Sequence, residues 1–354
     1  MTAVHQFVPM LHRADAVGRH TLRLREVFEA RGVRSEVYVE LVDPETAAIT
    51  RPFTQYAEEA EPGDIVVYQF ATASRIAPYL RTRREPLVLN YHNVTPPEYY
   101  APWNNAMARH QLRAQQELGA LARRAQLGIA VSSFNEMELE AAGCARTAVV
   151  PPAAALPLHA SPRPAAPTPD TRSSGRWISV GRVAPNKGIE LAVMGLLVAR
   201  AHHDPGATLE VIGRPAVAAY SDALDRFVDE MGLHGAVRFT GPVSDAALAT
   251  AMARADVLVL SSRHEGFGVP ALEAMGAGLP VVANRAGALP EVIGDAGVLV
   301  DATDPYELAA AVARVAGDEG LRRTLAGAGE RRLRDLDLPS AGERAADLIL
   351  ALGA

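Results

Sequence analysis

Short apolar runs of strand length alternate with amphipathic helical stretches along almost the whole chain, and that alternation allows few folds other than βα units around parallel sheets. In the first half, strands are expected over Val4–Val8, Glu36–Leu41, Asp64–Phe70, Leu87–His92, Leu127–Ser132 and Thr147–Val150. Helices are expected between them, including Arg19–Arg31 and Asn105–Gln126, and Ser133-Phe134-Asn135-Glu136 has the spacing of a capping box. From Pro151 to Gly175 the pattern stops: seven prolines with Ala, Ser and Thr between them make a stiff segment unsuited to a helix or an inner strand. The alternation restarts with strands expected over Trp177–Val183, Thr208–Gly213, Val237–Pro242, Asp256–Ser262, Pro280–Ala283 and Gly297–Val300. Helices are expected over Gly188–Ala201, Ala219–Met231, Asp245–Arg254 and Pro270–Ala277, and from Pro305 everything reads as helix, broken near Pro339. The expected organisation is a Rossmann-like domain over 1–150, a proline-rich linker over 151–175, a second Rossmann-like domain over 176–335 and a helical tail over 336–354. Sheets of this kind bind ligands at the carboxyl ends of their strands, so the crevice between two such domains is the expected place for a site.

Length and composition agree with this division. A chain of 354 residues exceeds the size at which one core keeps growing, and 49% hydrophobic with 21% charged residues describes a globular protein. A net charge of −6 argues against nucleic acid as a main partner. The single cysteine, Cys144, excludes an internal disulfide framework and a cysteine-built zinc site. No window approaches the roughly 18 apolar residues of a transmembrane helix, and no basic stretch followed by an apolar one opens the chain. The expectation is a cytoplasmic protein. The arginines of Asn105–Gln126 (Arg109, Arg113, Arg123 and Arg124) allow a peripheral membrane contact, although Gln111, Gln115, Gln116 and Glu117 favour an ordinary solvated helix.

Two segments carry chemistry. The basic residues are all arginine except Lys187. A GC-rich coding bias accounts for the arginines but not for the one survivor, which is expected where a compact ammonium must meet a phosphate. Lys187 lies in Gly181-Arg182-Val183-Ala184-Pro185-Asn186-Lys187-Gly188, between a strand end and a helix start. The second segment runs from His264-Glu265-Gly266-Phe267-Gly268-Val269-Pro270 through Glu273 to Gly278. Pro270 suits the first helical position and Gly278 the helix stop. The amides near Gly268 and Val269 then form an anion site at the positive end of a helix. Glu265 and Glu273, eight residues apart, flank that site, which suits a diphosphate carrying hydroxyl-rich groups on both sides. In the first half, His92 stands at a strand end, where a structural hydrogen bond is the alternative to a ligand contact.

In this order and spacing the two segments resemble the C-terminal domain of glycosyltransferase family four, retaining enzymes of the GT-B fold with a Gly-Arg…Lys-Gly turn and a Glu-x7-Glu motif. The resemblance is specific from about Trp177 to Leu308 and weaker before the linker. It implies an α/β GT-B fold, two Rossmann-like domains facing a central cleft with a C-terminal helical tail. It also implies transfer of a sugar from a UDP- or GDP-sugar to an acceptor hydroxyl, with no metal and no cofactor. Carried over, Arg182 and Lys187 hold the diphosphate, Glu265 contacts the donor sugar with Gly266, Phe267, Gly268 and Val269, and Glu273 binds the ribose. Gly181 belongs to the diphosphate turn, and the base lies near Gly213 and Val243. Ala286-Gly287-Ala288-Leu289-Pro290-Glu291 resembles the family's following turn. Gly18 stands for the glycine-rich loop after the first strand, without the family's double glycine, and His92 matches a histidine that reaches the donor sugar. Other readings stay open: another GT-B activity such as phosphorolysis or pseudo-glycosyl transfer, or a sugar-nucleotide-binding protein without catalysis. A dehydrogenase is disfavoured because no Gly-x-Gly-x-x-Gly follows the first strand.

Overall fold

Strands that are apolar on both faces belong inside parallel sheets with helices on either side, and Ile65–Phe70 and Val257–Leu260 are buried at every position. A computed structural model describes residues 3–13, 15–153, 175–301 and 303–353, and every strand pairing among them is parallel. Most of the expected proline-rich linker, 154–174, lies outside the described residues.

The first sheet has seven strands: β1 (Val4–Met10), β2 (Val37–Leu41), β3 (Arg51–Pro52), β4 (Ile65–Phe70), β5 (Leu87–Tyr91), β6 (Leu127–Ala130) and β7 (Thr147–Val149), in the order 3-2-1-4-5-6-7. Six were expected; β3 is two residues long and lies at the sheet edge, where Pro52 costs no ladder bond. The second sheet has β8 (Arg176–Val180), β9 (Thr208–Ile212), β10 (Val237–Gly241), β11 (Val257–Leu260), β12 (Val281–Asn284) and β13 (Gly297–Val300), in the order 10-9-8-11-12-13. In both sheets the order reverses beside the first strand, between β1 and β4 and between β8 and β11. Ligands of open α/β sheets bind outside the carboxyl ends of strands at such a point.

The chain divides into two units. The first takes residues up to Glu98, Asn105 to Ala153 and Asp337 onward; the second takes Tyr99–Asn104 and Gly175 to Leu336. The last helix, Ala341–Leu350, therefore packs in the first unit. Its buried face is small, with Ala341, Ala345, Ala346 and Ile349 at 0% exposure, and it lies close enough to the helix Ala16–Ala30 that a Cβ on Gly342 would stand 3.1 Å from Val27 Cγ2. Arg31 pairs with Glu343 and Asp347 at the rim. Exposed pairs contribute ~0–1 kcal/mol, less than the ~1.5–3 kcal/mol of burying one Ile side chain, so apolar packing holds this helix.

Three local expectations are corrected. The helix expected to open with a capping box at Ser133 runs over Ser133–Ala141 and is capped one residue earlier, by Ser132 Oγ accepting from the Asn135 amide at 3.2 Å. The strand before it ends at Ala130, which frees Ser132 for that role. The helix of the second motif starts at Val269, so Pro270 takes the second helical position, where a missing N–H is equally harmless.

Candidate functional site

Strands β8 and β11 are neighbours, and the loops leaving their carboxyl ends are the two segments that drew attention in the sequence. After β8 the chain makes a 3₁₀ turn, Pro185–Lys187, and Gly188 enters the helix Ile189–His202 at φ 59°. A Cβ on Gly188 would lie 2.5 Å from the Ser261 carbonyl oxygen, so this turn sits against the loop after β11 with no room for a side chain. The two loops are stitched together by hydrogen bonds. The Arg263 amide donates to the Asn186 carbonyl at 2.8 Å, Asn186 Nδ2 donates to the His264 carbonyl at 3.2 Å, and Ser261 Oγ donates to the Lys187 carbonyl at 3.1 Å.

This stitching joins the charges. Lys187 Nζ donates to the Glu265 carboxylate, with the two side chains 16% and 13% exposed, and Ser262 Oγ donates to the same carboxylate oxygen at 3.2 Å. Lys187 and Glu265 were placed in separate roles by the sequence, and the structure puts them in contact. An ammonium has three protons, so one held by Glu265 leaves Lys187 two for an incoming anion. Arg182 is exposed and makes no ion pair among the described residues. A crevice between these loops is lined by Gly181, Arg182 and Lys187 on one side and Leu260, Ser261 and Ser262 on the other.

The second motif is built for close approach. Gly268 caps the helix Val269–Gly276 at φ 94°, and a Cβ there would stand 2.7 Å from Leu289 Cδ2. Phe267 is buried, so its ring packs inside and is not offered to a ligand. Glu273 is 5% exposed, on the first turns of the same helix. The helix stops as expected: Gly278 at φ 63° donates to the Met275 carbonyl at 3.1 Å and Leu279 to the Ala274 carbonyl at 2.8 Å, the two bonds of a Schellman motif. The Ala286–Ala288 turn supports Glu265 from behind. The Ala288 amide donates to the Glu265 carbonyl at 2.9 Å, and a Cβ on Gly287, at φ 54°, would fall 2.1 Å from the same oxygen. Gly213, at φ 152°, has a structural duty as well, since a Cβ would fall 1.8 Å from the Gly181 carbonyl oxygen. Val243 is 38% exposed in the loop after β10.

In the first unit, Gly18 lies in the first turn of the helix Ala16–Ala30, and its amide donates to Asp15 Oδ1 at 2.6 Å. The amide that was to touch a phosphate is thus taken by an acidic N-cap. A Cβ on Gly18 would fall 1.9 Å from the His12 carbonyl oxygen, which gives the glycine a packing reason. His92 follows β5 and is half-buried; its Nε2 is 2.7 Å from Gln69 Oε1. Burial, and then the neighbouring His20, hold its imidazole well below the ordinary histidine range. Asn93, next in the chain, has φ 84° and is held by Asn135 Oδ1 at 2.8 Å and Glu138 Oε2 at 2.9 Å. A non-glycine residue in this conformation marks a fixed, over-determined turn. The helix Asn105–Ala122 is an ordinary packed one with Leu118 and Leu121 inward. Just past its end, Arg124 donates to the Arg83 and Glu85 carbonyls at 2.8 and 2.7 Å, and Arg113 pairs with Glu117 at 3.3 Å.

The family model described as "Glycosyl transferases group 1" matches residues 175–318, the stretch that carries both loops. Mannosylfructose-phosphate synthase of Agrobacterium fabrum is 36% identical over 105 residues, 28% of this chain and 23% of that protein. GDP-mannose:cellobiosyl-diphosphopolyprenol alpha-mannosyltransferase of Xanthomonas oryzae pv. oryzae is 38% identical over 97 residues, 27% of this chain and 25% of that protein. The chain thus matches about a quarter of the length of these two relatives. Among solved structures, Anabaena HepE in complex with UDP and glucose superposes with a TM-score of 0.75 at 20% identity, over 99% of this chain and 100% of that one. That likeness is one of fold, and the fold is GT-B, α/β throughout.

Proposed function

We propose that the chain is a retaining glycosyltransferase that moves a sugar from a nucleoside-diphosphate sugar to an acceptor hydroxyl. The observation that carries this reading is the pairing of Lys187 with Glu265 at the β8/β11 switch point, beside a helix whose glycine N-cap leaves its first amides open to an anion. In this reading Arg182 and Lys187 neutralise the leaving diphosphate, the function a metal ion serves elsewhere, together with the amides of Gly268 and Val269. Glu265, already holding Lys187, accepts hydrogen bonds from donor-sugar hydroxyls and places the ammonium under the scissile phosphate oxygen. Glu273 accepts from the ribose hydroxyls, and Gly213 and Val243 border the base. His92 contacts the donor sugar. Gly18 acts through the fit of its turn, since its amide is engaged by Asp15. No nucleophile is assigned. The acceptor attacks on the face the diphosphate leaves, and the departing phosphate oxygen takes the acceptor's proton, so the configuration at the anomeric carbon is kept.

The donor carries UDP or GDP: a mannosyltransferase relative is named for GDP-mannose, and the superposed HepE structure holds UDP and glucose. No described helix is long and apolar enough to cross a membrane. The test is a thermal-shift panel of nucleoside diphosphates. UDP or GDP is expected to raise the unfolding temperature of the wild type and to lose that effect in Glu273→Ala. An equal shift in both proteins removes Glu273 from the site, and no shift with any nucleotide removes the reading.

A further inference from the structure

Behind His92, within the first unit, runs a chain of polar side chains closed to solvent. Gln6 Nε2 donates to the Thr21 carbonyl oxygen at 2.9 Å, Gln69 Nε2 donates to Gln6 Oε1 at 2.8 Å, and Gln69 Oε1 meets His92 Nε2 at 2.7 Å. Gln6, Thr21 and Gln69 all have 0% exposure. The direction of this chain is set at its far end. A backbone carbonyl only accepts, so Gln6 must turn its amino group to Thr21 and its oxygen to Gln69. Gln69 must then turn its amino group to Gln6 and its oxygen to His92. An oxygen acceptor in that place requires the imidazole proton to sit on Nε2. Reversing either amide would set like groups face to face in a dry site, at a cost of ~1–3 kcal/mol each.

The other side of the ring is equally constrained. His20 Nδ1 accepts from the Ala153 amide at 2.9 Å, which puts its proton on Nε2, facing the Asn90 side-chain amide at 2.6 Å. The Asn90 oxygen, otherwise a buried acceptor lacking a donor, is the natural partner of that proton once the amide is turned over. The His20 and His92 rings meet edge to face, with centroids 5.1 Å apart. Both rings are neutral in this setting, and the acceptor left on His92 is Nδ1.

We propose that Gln69, aligned by Gln6, is a positioning residue that fixes His92 as its Nε2–H tautomer, so that Nδ1 accepts a hydrogen bond from a hydroxyl of the bound sugar. The second half of this statement rests on the glycosyltransferase reading; the first half does not. The residues flanking the ring serve the same end. Tyr91 donates to Glu138 at 2.9 Å, and Asn93 is held by Asn135 and Glu138, so the ring has a fixed base on which the glutamines set its proton.

Two measurements on the full chain test the two halves separately. In the first, long-range nitrogen–proton spectra at neutral pH, with the His92 signals assigned by their loss in His92→Gln, report the tautomer. The wild type is expected to show a neutral ring protonated at Nε2. Gln69→Leu is expected to shift it to a mixture or to the Nδ1–H form. The isosteric Gln69→Glu, which keeps the packing if Gln69→Leu does not fold, is expected to convert it to imidazolium. A wild-type ring protonated at Nδ1, or an Nε2–H pattern unchanged in both variants, overturns the relay. In the second, turnover of a UDP- or GDP-sugar is expected to fall at least about tenfold in kcat for Gln69→Leu or Gln69→Glu, with UDP or GDP affinity unchanged. A shifted tautomer with wild-type kcat overturns the positioning role. Absence of turnover in the wild type sinks the glycosyltransferase reading and the sugar contact with it, and leaves the tautomer result to stand alone.

Discussion

Lys187 was conspicuous in the sequence by composition alone, and its partner was not. An arginine-rich chain that keeps one lysine points to a site where a compact point charge is needed. The structure gives the reason in contacts: Glu265 and Ser262 converge from the loop after β11, and a Cβ on Gly181 would stand 3.6 Å from Lys187 Cε. A guanidinium is a larger, planar group whose fork would meet Glu265 and a phosphate in a different geometry from a compact ammonium. Lys187→Arg is therefore expected to lower kcat with a nucleotide sugar by at least about tenfold while the unfolding temperature holds; wild-type turnover would show that any cation serves. Glu273, buried on its helix, is expected to act on affinity. Glu273→Ala should weaken UDP or GDP binding measured by calorimetry by about ten- to a hundredfold, the ~1.5–3 kcal/mol of hydrogen bonds to a charged group. Gln69, Gln6 and Asn93 carried no sequence signal. Glutamines in strands read as ordinary polar positions, and only the three-dimensional pairing shows that they form a directed chain.

At the scale of the element, glycines decide whether the loops can meet. Gly213 and Gly287 both occupy positive φ, and in each case a Cβ would overlap a backbone oxygen, Gly181 O at 1.8 Å and Glu265 O at 2.1 Å. Gly287→Ala is expected to displace the Glu265 backbone, so its loss of turnover should exceed its loss of stability. Gly213→Ala bears on the β8–β9 junction and should cost roughly 2–4 kcal/mol in urea unfolding. A Gly213→Ala protein with unchanged stability contradicts the close approach described. The sequence showed that these loops follow strands and precede helices, because Pro270, Gly278 and Gly188 mark helix ends by known rules. It did not show that Gly213 and Gly287 pack against other loops, since sequence distance hides the neighbourhood of β8 with β9 and of β11 with β12. Strand ends moved by one to three residues, in part for a related reason. Ser132 reads as strand by its apolar company, yet it is taken by the helix as a cap.

Over the whole molecule, the alternation of apolar and amphipathic stretches sufficed for two parallel sheets, and the return of Ala341–Leu350 to the first unit was not legible from it. A small-residue stripe such as Ala341, Ala345 and Ala346 says that a helix packs closely and does not say on what. The buried histidines give the first unit a pH signature. Burial lowers the His20 pKa to about 4, below its unfolded value near 6.5. Between these values the unfolded chain binds a proton that the folded chain does not, so stability is full above about pH 6.5 and falls as the pH drops toward 4. The loss is about 3 kcal/mol for this one ring. Urea unfolding at pH 7 and pH 5 is expected to show the decline, and His20→Asn to reduce it; a pH-independent wild type would contradict a neutral buried His20.

The Lys187–Glu265 site is proposed to turn over a nucleotide sugar. The most direct measurement is the release of nucleoside diphosphate from a panel of UDP- and GDP-sugars by the wild type and by Lys187→Ala, with the fold of each checked by circular dichroism. Release from at least one donor by the wild type is expected, with loss of most of that activity in a folded Lys187→Ala protein. Equal release by the two proteins would contradict it.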